Sequence, residues 1–235
     1  MLVLSFDCQK NLVNPKVQDQ IAYYSRQLYT YNFTIVKGSS KTKLQNNNVF
    51  LYTWMEHEFH KGSNEIASAV FHCLSDLINM SGYSKIRLCA DGCGGQNRNS
   101  TMVAMCIYFL GNIAPPHIGE IELVFPIRGH SFLPSDRVFG IIEKKLRKLS
   151  EITNPNTYID IFKERGTVIN LRDSGVKSWK EIAKEYLKGV QSWHFKFSKA
   201  KRIVIEKNGG KITVRGQEHY NSDVGESKTI FKRGK

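Results

Sequence analysis

No stretch of the chain approaches the roughly 20 consecutive apolar residues that a membrane-spanning helix requires, so a helical membrane protein is excluded. The opening MLVLSFDCQK lacks the basic stretch and long apolar core of a secretory signal. Cysteines are few and odd in number: Cys8, Cys73, Cys89, Cys93 and Cys106 lie mostly inside apolar runs. That suits reduced, buried thiols and an intracellular protein, not a secreted disulfide framework. Zinc-finger spacing is absent too. Cys89 and Cys93 form a CxxxC, and His57 and His60 bracket HEFH, but no second Cys or His pair follows at a workable distance. There is no GxxxxGK[ST] phosphate loop, no internal repeat and no low-complexity tract. Cys8, Cys93 and Ser131 have no evident base and orienting partner, which leaves nucleophilic hydrolase chemistry unsupported.

What the chain does have is positive charge. Its 235 residues carry 34 Lys and Arg against 21 Asp and Glu, a formal charge of +13. The excess is uneven, with 18 basic and 10 acidic side chains in residues 151–235. A polyanion is therefore the first partner to expect, with nucleic acid ahead of an anionic membrane surface, in a cytosolic or nuclear protein. Hydrophobic residues make up 41% and aromatics 11%, enough for a folded core rather than a disordered chain.

Strand signals dominate the start. Leu2, Val3, Leu4 and Phe6 run up to Asp7; YNFTIV (31–36) and NVFLYTW (48–54) follow across short polar segments, as in an antiparallel meander. The period then lengthens. Ile66, Val70, Phe71, Leu74, Leu77 and Ile78 fall on one face of a helix over 64–78, with Gly82 closing it. KIRLCAD (85–91) returns to strand, TMVAMCIYFL (101–110) reads as a largely buried helix, and IELVFPI (121–127) as a fifth strand. Ser135 is placed to cap a third helix whose apolar face is Val138, Phe139, Ile142 and Leu146. The order β-β-β-α-β-α-β-α predicts an α/β protein with a mixed five-stranded sheet, the order of the ribonuclease H-like fold.

In such a sheet the strands ending at Asp7 and Asp91 are neighbours. Two carboxylates at one sheet rim repel each other unless a cation lies between them, and a hard divalent ion such as Mg²⁺ prefers carboxylate oxygen. Two such ions about 3.5–4 Å apart activate a water and stabilise the leaving oxygen of a phosphodiester. The glycine-broken loop DGCGGQNRN then has a purpose: a phosphate backbone can approach closely, with Gln96, Asn97, Arg98 and Asn99 as donors. A plain Asx turn at Asp91 is the structural alternative. A third acid is expected from the helix after the fifth strand. Asp136 is preferred because the helix start lies nearest the strand rim, and Glu143 is the alternative. Asp136 also suits the helix dipole and Glu143 an ion pair with Arg147. His130 is placed to assist proton transfer or bind phosphate.

The segments LSFDCQKN, YYSRQLYTYNF, NEIASAVFHCL, DGCGGQNRN and GHSFLPSDRVFG, in this order over Leu2 to Leu149, resemble the catalytic core of transposon-derived proteins of insect and other eukaryotic genomes. These belong to the ribonuclease H-like DDE/D transposases and integrases. The resemblance implies DNA strand cleavage and joining with two Mg²⁺ or Mn²⁺ ions, Asp7 and Asp91 matching the first two acids, and a homo-oligomer assembled on DNA ends. No zinc finger or helix-turn-helix module precedes the core, so a truncated copy, an excised domain or a domesticated gene is expected rather than an autonomous transposase. A plain nuclease of the same fold and a catalytically silent nucleic-acid-binding protein are the competing readings.

Residues 151–235 are expected to form a small basic α+β extension to a core of residues 1–150. Ser178 and Glu181 are spaced as a capping box before a helix from Trp179 to Lys188. Trp193, Phe195 and Phe197 alternate with His194 and Lys196, either as the core face of a strand or as a surface tracking DNA. RIVIEKNGGKITVRG reads as a hairpin turning at Asn208-Gly209. Lys196, Lys199, Lys201 and Arg202 are the expected phosphate contacts.

Overall fold

Alternating apolar positions set the strands, and helical spacing sets the elements between them. A computed structural model describes residues 1–17, 26–77, 82–127, 132–221 and 225–234. The chain is α/β with a mixed sheet. In order it forms β1 (Leu2–Cys8), β2 (Leu12–Asn14), β3 (Leu28–Lys37), β4 (Val49–Met55), α1 (Ser63–Leu77), β5 (Lys85–Ala90) and α2 (Ser100–Tyr108), which runs into a π-helical turn (Phe109–Ile113). Then follow β6 (Glu120–Val124), α3 (Pro134–Leu146), α4 (Asn156–Lys163), β7 (Thr167–Asn170), α5 (Leu171–Ser174), α6 (Trp179–Tyr186), a 3-10 turn (Val190–Ser192), β8 (Arg202–Asn208) and β9 (Lys211–Gln217). No helix among the described residues is long and apolar enough to cross a membrane. The chain divides into two compact units, Met1–Leu4 with Gly62–Ser131 and Lys177–Lys235, and Ser5–Lys61 with Phe132–Val176.

In the first unit the strands lie in the order β1-β5-β6-β8-β9. β5 and β6 are parallel, with Leu88 beside Leu123, and α2 makes the crossover between them. β6/β8 and β8/β9 are antiparallel. Helix α1 buries Ile66, Val70, Cys73, Leu74 and Leu77, the single apolar stripe that its spacing demands. α2 has no polar face to lose, since every residue from Thr101 to Ile107 is buried. Aromatic rings lock the helices: Phe71 packs on Trp179 at 5.0 Å and edge-on to Phe109 at 6.1 Å. The Trp179 indole N–H donates to Ser68 Oγ at 3.1 Å, which removes the cost of burying it.

In the second unit the order is β7-β4-β3-β1, with β2 on β3. β3 and β4 are antiparallel, Phe33 facing Tyr52, while β4 and β7 are parallel. Residues Thr30 to Val36 of β3 are all buried, so this strand is covered on both faces. One cluster beneath it joins Val36, Val49 and Leu51 to Val138, Ile142 and Leu146 of α3 and to Ile161 and Phe162 of α4. Each such burial contributes about 1.5–3 kcal/mol. The last turn of α3 is closed by Lys16, whose Nζ donates to Leu146 O at 2.6 Å and Leu149 O at 3.1 Å. Tyr158 donates to Val13 O at 2.6 Å, and burial pushes its hydroxyl up to about 12.

Several expectations need correction. The sheet holds nine strands among the described residues rather than five, because β2, β7, β8 and β9 join it. The two units do not divide at 150/151: each draws residues from both sides, since β7 pairs with β4 and β8 with β6. Residues 193–197 form no strand. Trp193 meets Phe195 at 5.5 Å and Phe197 at 5.0 Å edge-on, and the carbonyl of Phe197 goes to the Arg98 guanidinium instead of to a ladder. The hairpin turns one residue later than expected, at Gly209-Gly210 with φ of 55° and 83°, the pair of positive φ values that a tight two-residue turn requires. Leu133 rather than Ser135 precedes the first turn of α3. Ser178 caps α6 through its carbonyl, which accepts from Glu181 N at 3.1 Å and Ile182 N at 3.2 Å, not through its hydroxyl.

Gly166, just before β7, admits no side chain. A Cβ there would lie 2.3 Å from Val49 O and 2.8 Å from both Val49 Cβ and Leu51 Cδ1. Gly166→Ala is therefore expected to destabilise the protein by about 1–3 kcal/mol, read as a lower urea midpoint at unchanged slope.

Candidate functional site

β5 stops at Ala90, and the half-buried Asp91 begins a loop wound about its own polar groups. Asp91 Oδ1 accepts from the Cys93 N–H at 3.2 Å and from Asn97 Nδ2 at 2.6 Å. The Cys93 carbonyl in turn accepts from the N–H groups of Asn97 at 2.8 Å and Arg98 at 2.9 Å. Asn99 caps α2, taking the Met102 N–H at 2.9 Å and donating to Gly94 O and Gln96 O. Arg98 donates to Phe197 O at 2.9 Å and to Ser198 O, with its guanidinium 5.6 Å from the centre of the Phe125 ring. Thus Asn97, Arg98 and Asn99, expected as donors to a phosphate backbone, hold the loop itself. Gln96 is half-buried, and its side chain makes no hydrogen bond among the described residues. The Asx-turn alternative for Asp91 is present as geometry. It still leaves Oδ2 without a hydrogen-bond partner among the described residues.

Asp7, Asp136 and Glu143 belong to the second unit, Asp91 to the first. Asp7 Oδ1 accepts from the Cys8 N–H at 2.7 Å. Asp136 Oδ2 accepts from the Leu133 N–H at 2.8 Å and its own N–H donates to Leu133 O at 2.9 Å, which closes the first turn of α3. Glu143 is the acid carried to the segment just after Asp7. Its Oε1 accepts from Gln9 Nε2 at 3.0 Å and its Oε2 pairs with Lys10 at 3.0 Å. Gln9, 2% exposed, is itself held by Asn32 Nδ2 at 2.9 Å. Neither Gln9 nor Asn32 is marked by the sequence as a site residue. Their signal was modest: Gln9 follows Asp7 by two, and so shares its face in an extended chain. His130 lies outside the described residues.

Among the described residues no group of three or more His, Cys, Asp or Glu side chains is arranged to hold a metal ion. The donor chemistry around Asp91 nevertheless suits a hard cation. Asn97 is 1% exposed, and its Oδ1 is buried with no hydrogen-bond partner among the described residues. A carboxylate oxygen and an amide oxygen, both lacking donors in one loop, are what Mg²⁺ takes when water and phosphate complete its shell.

The basic residues of the C-terminal stretch separate into two kinds. Lys196 and Lys199 are exposed, and Lys201 stands 5.7 Å from the centre of the Tyr220 ring. Arg202 is largely buried: it pairs with Glu122, which also pairs with Arg87, and donates to Gln217 Oε1 at 3.0 Å. A cavity of about 460 Å³ opens at Trp193, His194, Phe195, Lys196, Phe197 and Ser198, beside the carbonyls that Arg98 holds. Burial pushes the Cys89 thiol up to about 11, so it stays neutral at physiological pH and is no nucleophile.

Fold and site together define an α/β protein of net positive charge with carboxylates set at or just beyond strand and helix positions in both units. The chain matches, over residues 34–210, the family described as a domain of unknown function (DUF7869), and it belongs to that family. No curated protein and no solved structure matches it. The matched stretch contains Asp91 with its loop, Glu143 and the aromatic segment.

Two substitutions separate the basic residues by role. Replacing Lys196 and Lys199, both exposed, together by Ala should leave the thermal midpoint unchanged. Arg202→Ala should instead lower stability by about 3 kcal/mol, because it strips a partner from the buried Glu122; chemical denaturation measures it.

Proposed function

We propose that this chain is a ribonuclease H-like domain of the DDE/D transposase and integrase type, acting on DNA in the nucleus. Asp7 and Asp91 serve as its first two metal-binding acids. The observation that carries the reading is strand order. β5, which leads into Asp91, lies beside β1, whose first residues, Leu2 to Leu4, share its unit; β5, α2 and β6 make a parallel crossover, and β3 and β4 an antiparallel pair. The net charge of +13 supplies the attraction to a polyanion.

The preferred third acid shifts from Asp136 to Glu143. Asp136 is engaged by the backbone of its own helix turn, whereas Glu143 reaches the segment two residues beyond Asp7 through Gln9 and Lys10. Bound Mg²⁺ or Mn²⁺ would supply an activated water and charge stabilisation at the leaving oxygen. The chain's own share is to hold the acids: Asn97 fixes one oxygen of Asp91, and Gln9 one oxygen of Glu143. The exposed lysines 196 and 199 then position the DNA backbone, as phosphate contacts do without reading sequence.

A second reading, a catalytically silent DNA-binding protein, is favoured by the internal engagement of Asn97, Arg98 and Asn99. Cleavage of end-labelled DNA in Mg²⁺ or Mn²⁺ decides between them. The wild type should cut, Asp91→Asn and Glu143→Gln should abolish cutting, and Asp136→Asn should keep it, because its amide oxygen can still accept from Leu133 N–H. Loss with Asp136→Asn and not with Glu143→Gln would return the third position to Asp136. Salt-sensitive binding with no metal-dependent cleavage by the wild type would establish the silent protein.

A further inference from the structure

Asn97 is the most deeply buried polar residue of the loop that follows β5, and nothing in a turn requires it. An Asx turn at Asp91 is already closed by the Cys93 N–H, and the start of α2 by Asn99. Asn97 nevertheless sits at 1% exposure, with Nδ2 on Asp91 Oδ1 at 2.6 Å and an Oδ1 that has no donor among the described residues. A buried amide oxygen left unsatisfied costs about 1–3 kcal/mol. The cost disappears if a cation, or the water on one, lies at that oxygen.

We propose that Asn97 is the positioning residue of a divalent-cation site at Asp91. Its amide N–H fixes one carboxylate oxygen so that the other stays free for the ion, and its own carbonyl oxygen faces the ion's shell. This rests on Asp91 being a metal ligand, as proposed above. An uncharged donor suits this role, because an Arg or Lys in its place would orient the carboxylate and also cancel the charge that attracts the cation. The backbone around Asn97 reinforces the placement, because its N–H is tied at 2.8 Å to the Cys93 carbonyl, so the amide has little freedom to swing away.

The test measures Mn²⁺ affinity of the full chain by calorimetry, together with the thermal midpoint in the presence and absence of Mn²⁺. Variants are Asp91→Asn, Asn97→Ala, Asn97→Ser and Asn99→Ala. Asp91→Asn should abolish binding. Asn97→Ala should weaken it by about 10–100-fold, the size seen when a partner of a metal-ligating group is removed. Asn99→Ala, which loosens the same loop at its helix cap, should lower the thermal midpoint while leaving Mn²⁺ affinity at the wild-type value. Asn97→Ser, which keeps a small donor, should fall between wild type and alanine, and it serves for the comparison if alanine does not fold. The inference is overturned if Asp91→Asn abolishes binding while both Asn97 variants that fold keep wild-type affinity; Asn97 is then only a brace of the loop. Undiminished Mn²⁺ binding by Asp91→Asn would overturn it differently, by removing the metal reading of Asp91 itself.

Discussion

A carboxylate with 3% of its surface exposed is the interaction on which the first unit depends. Glu122 lies mid-strand on β6 and carries guanidinium partners from both sides, Arg87 on β5 and Arg202 on β8. Burying one charge would cost several kcal/mol, and only the paired, hydrogen-bonded arrangement offsets it. The ion group thereby fixes β8 against β6 in one register. β8 follows directly on the aromatic segment, so the carbonyls of Phe197 and Ser198 come to Arg98. Arg98 belongs to the loop that begins at Asp91. A structural ion pair at the middle of the sheet is thus linked, in four short steps, to the conformation of the candidate site.

The sequence showed the elements whose signal is local. β3, β4, β5 and β6 were found as apolar runs, and α1, α2 and α3 as stripes of the right period, because period depends only on neighbours in the chain. β7 was missed: four residues, TVIN, half-buried or exposed, say nothing until β4 lies beside them. Trp193, Phe195 and Phe197 misled in the opposite direction, since alternation is also what a folded-back aromatic knot produces when its rings meet edge-on. Asn99 carries a legible cap signal. An Asn followed by Ser-Thr-Met at the start of a helical run is a cap signal, and the cap takes the side chain that was assigned to DNA. The sequence favours Asp136 over Glu143 because the helix start lies nearest the strand rim; the contact of Gln9 with Glu143, 134 positions apart in the chain, has no local signal.

Buried amides recur in the second unit as they do at Asp91. Asn32, fully buried on β3, donates to Gln9 and receives the Thr34 hydroxyl at 3.2 Å, and Gln9 passes its own N–H to Glu143. Such a chain is favourable only if each polar group finds a partner in the low-dielectric interior, and it then orients the last member sharply. Its last member is a carboxylate that is 20% exposed, with the 70% exposed Lys10 as its only cationic partner among the described residues. Lys10 is free to leave it.

Four carboxylates can therefore be sorted by what holds them. Glu122 has both oxygens on guanidinium groups that cannot depart, so its charge is cancelled and its role is to fix strands. Asp136 has an oxygen on the first N–H of its helix turn, where the dipole also favours it, and it stabilises that turn. Asp91 and Glu143 are each oriented through one oxygen by an uncharged amide, Asn97 and Gln9 respectively. An amide donor sets the direction of a carboxylate without neutralising it, so the negative charge remains available to an incoming cation. This difference in partner distinguishes Asp91 and Glu143 from Glu122 and Asp136, whose carboxylates are engaged in holding the fold.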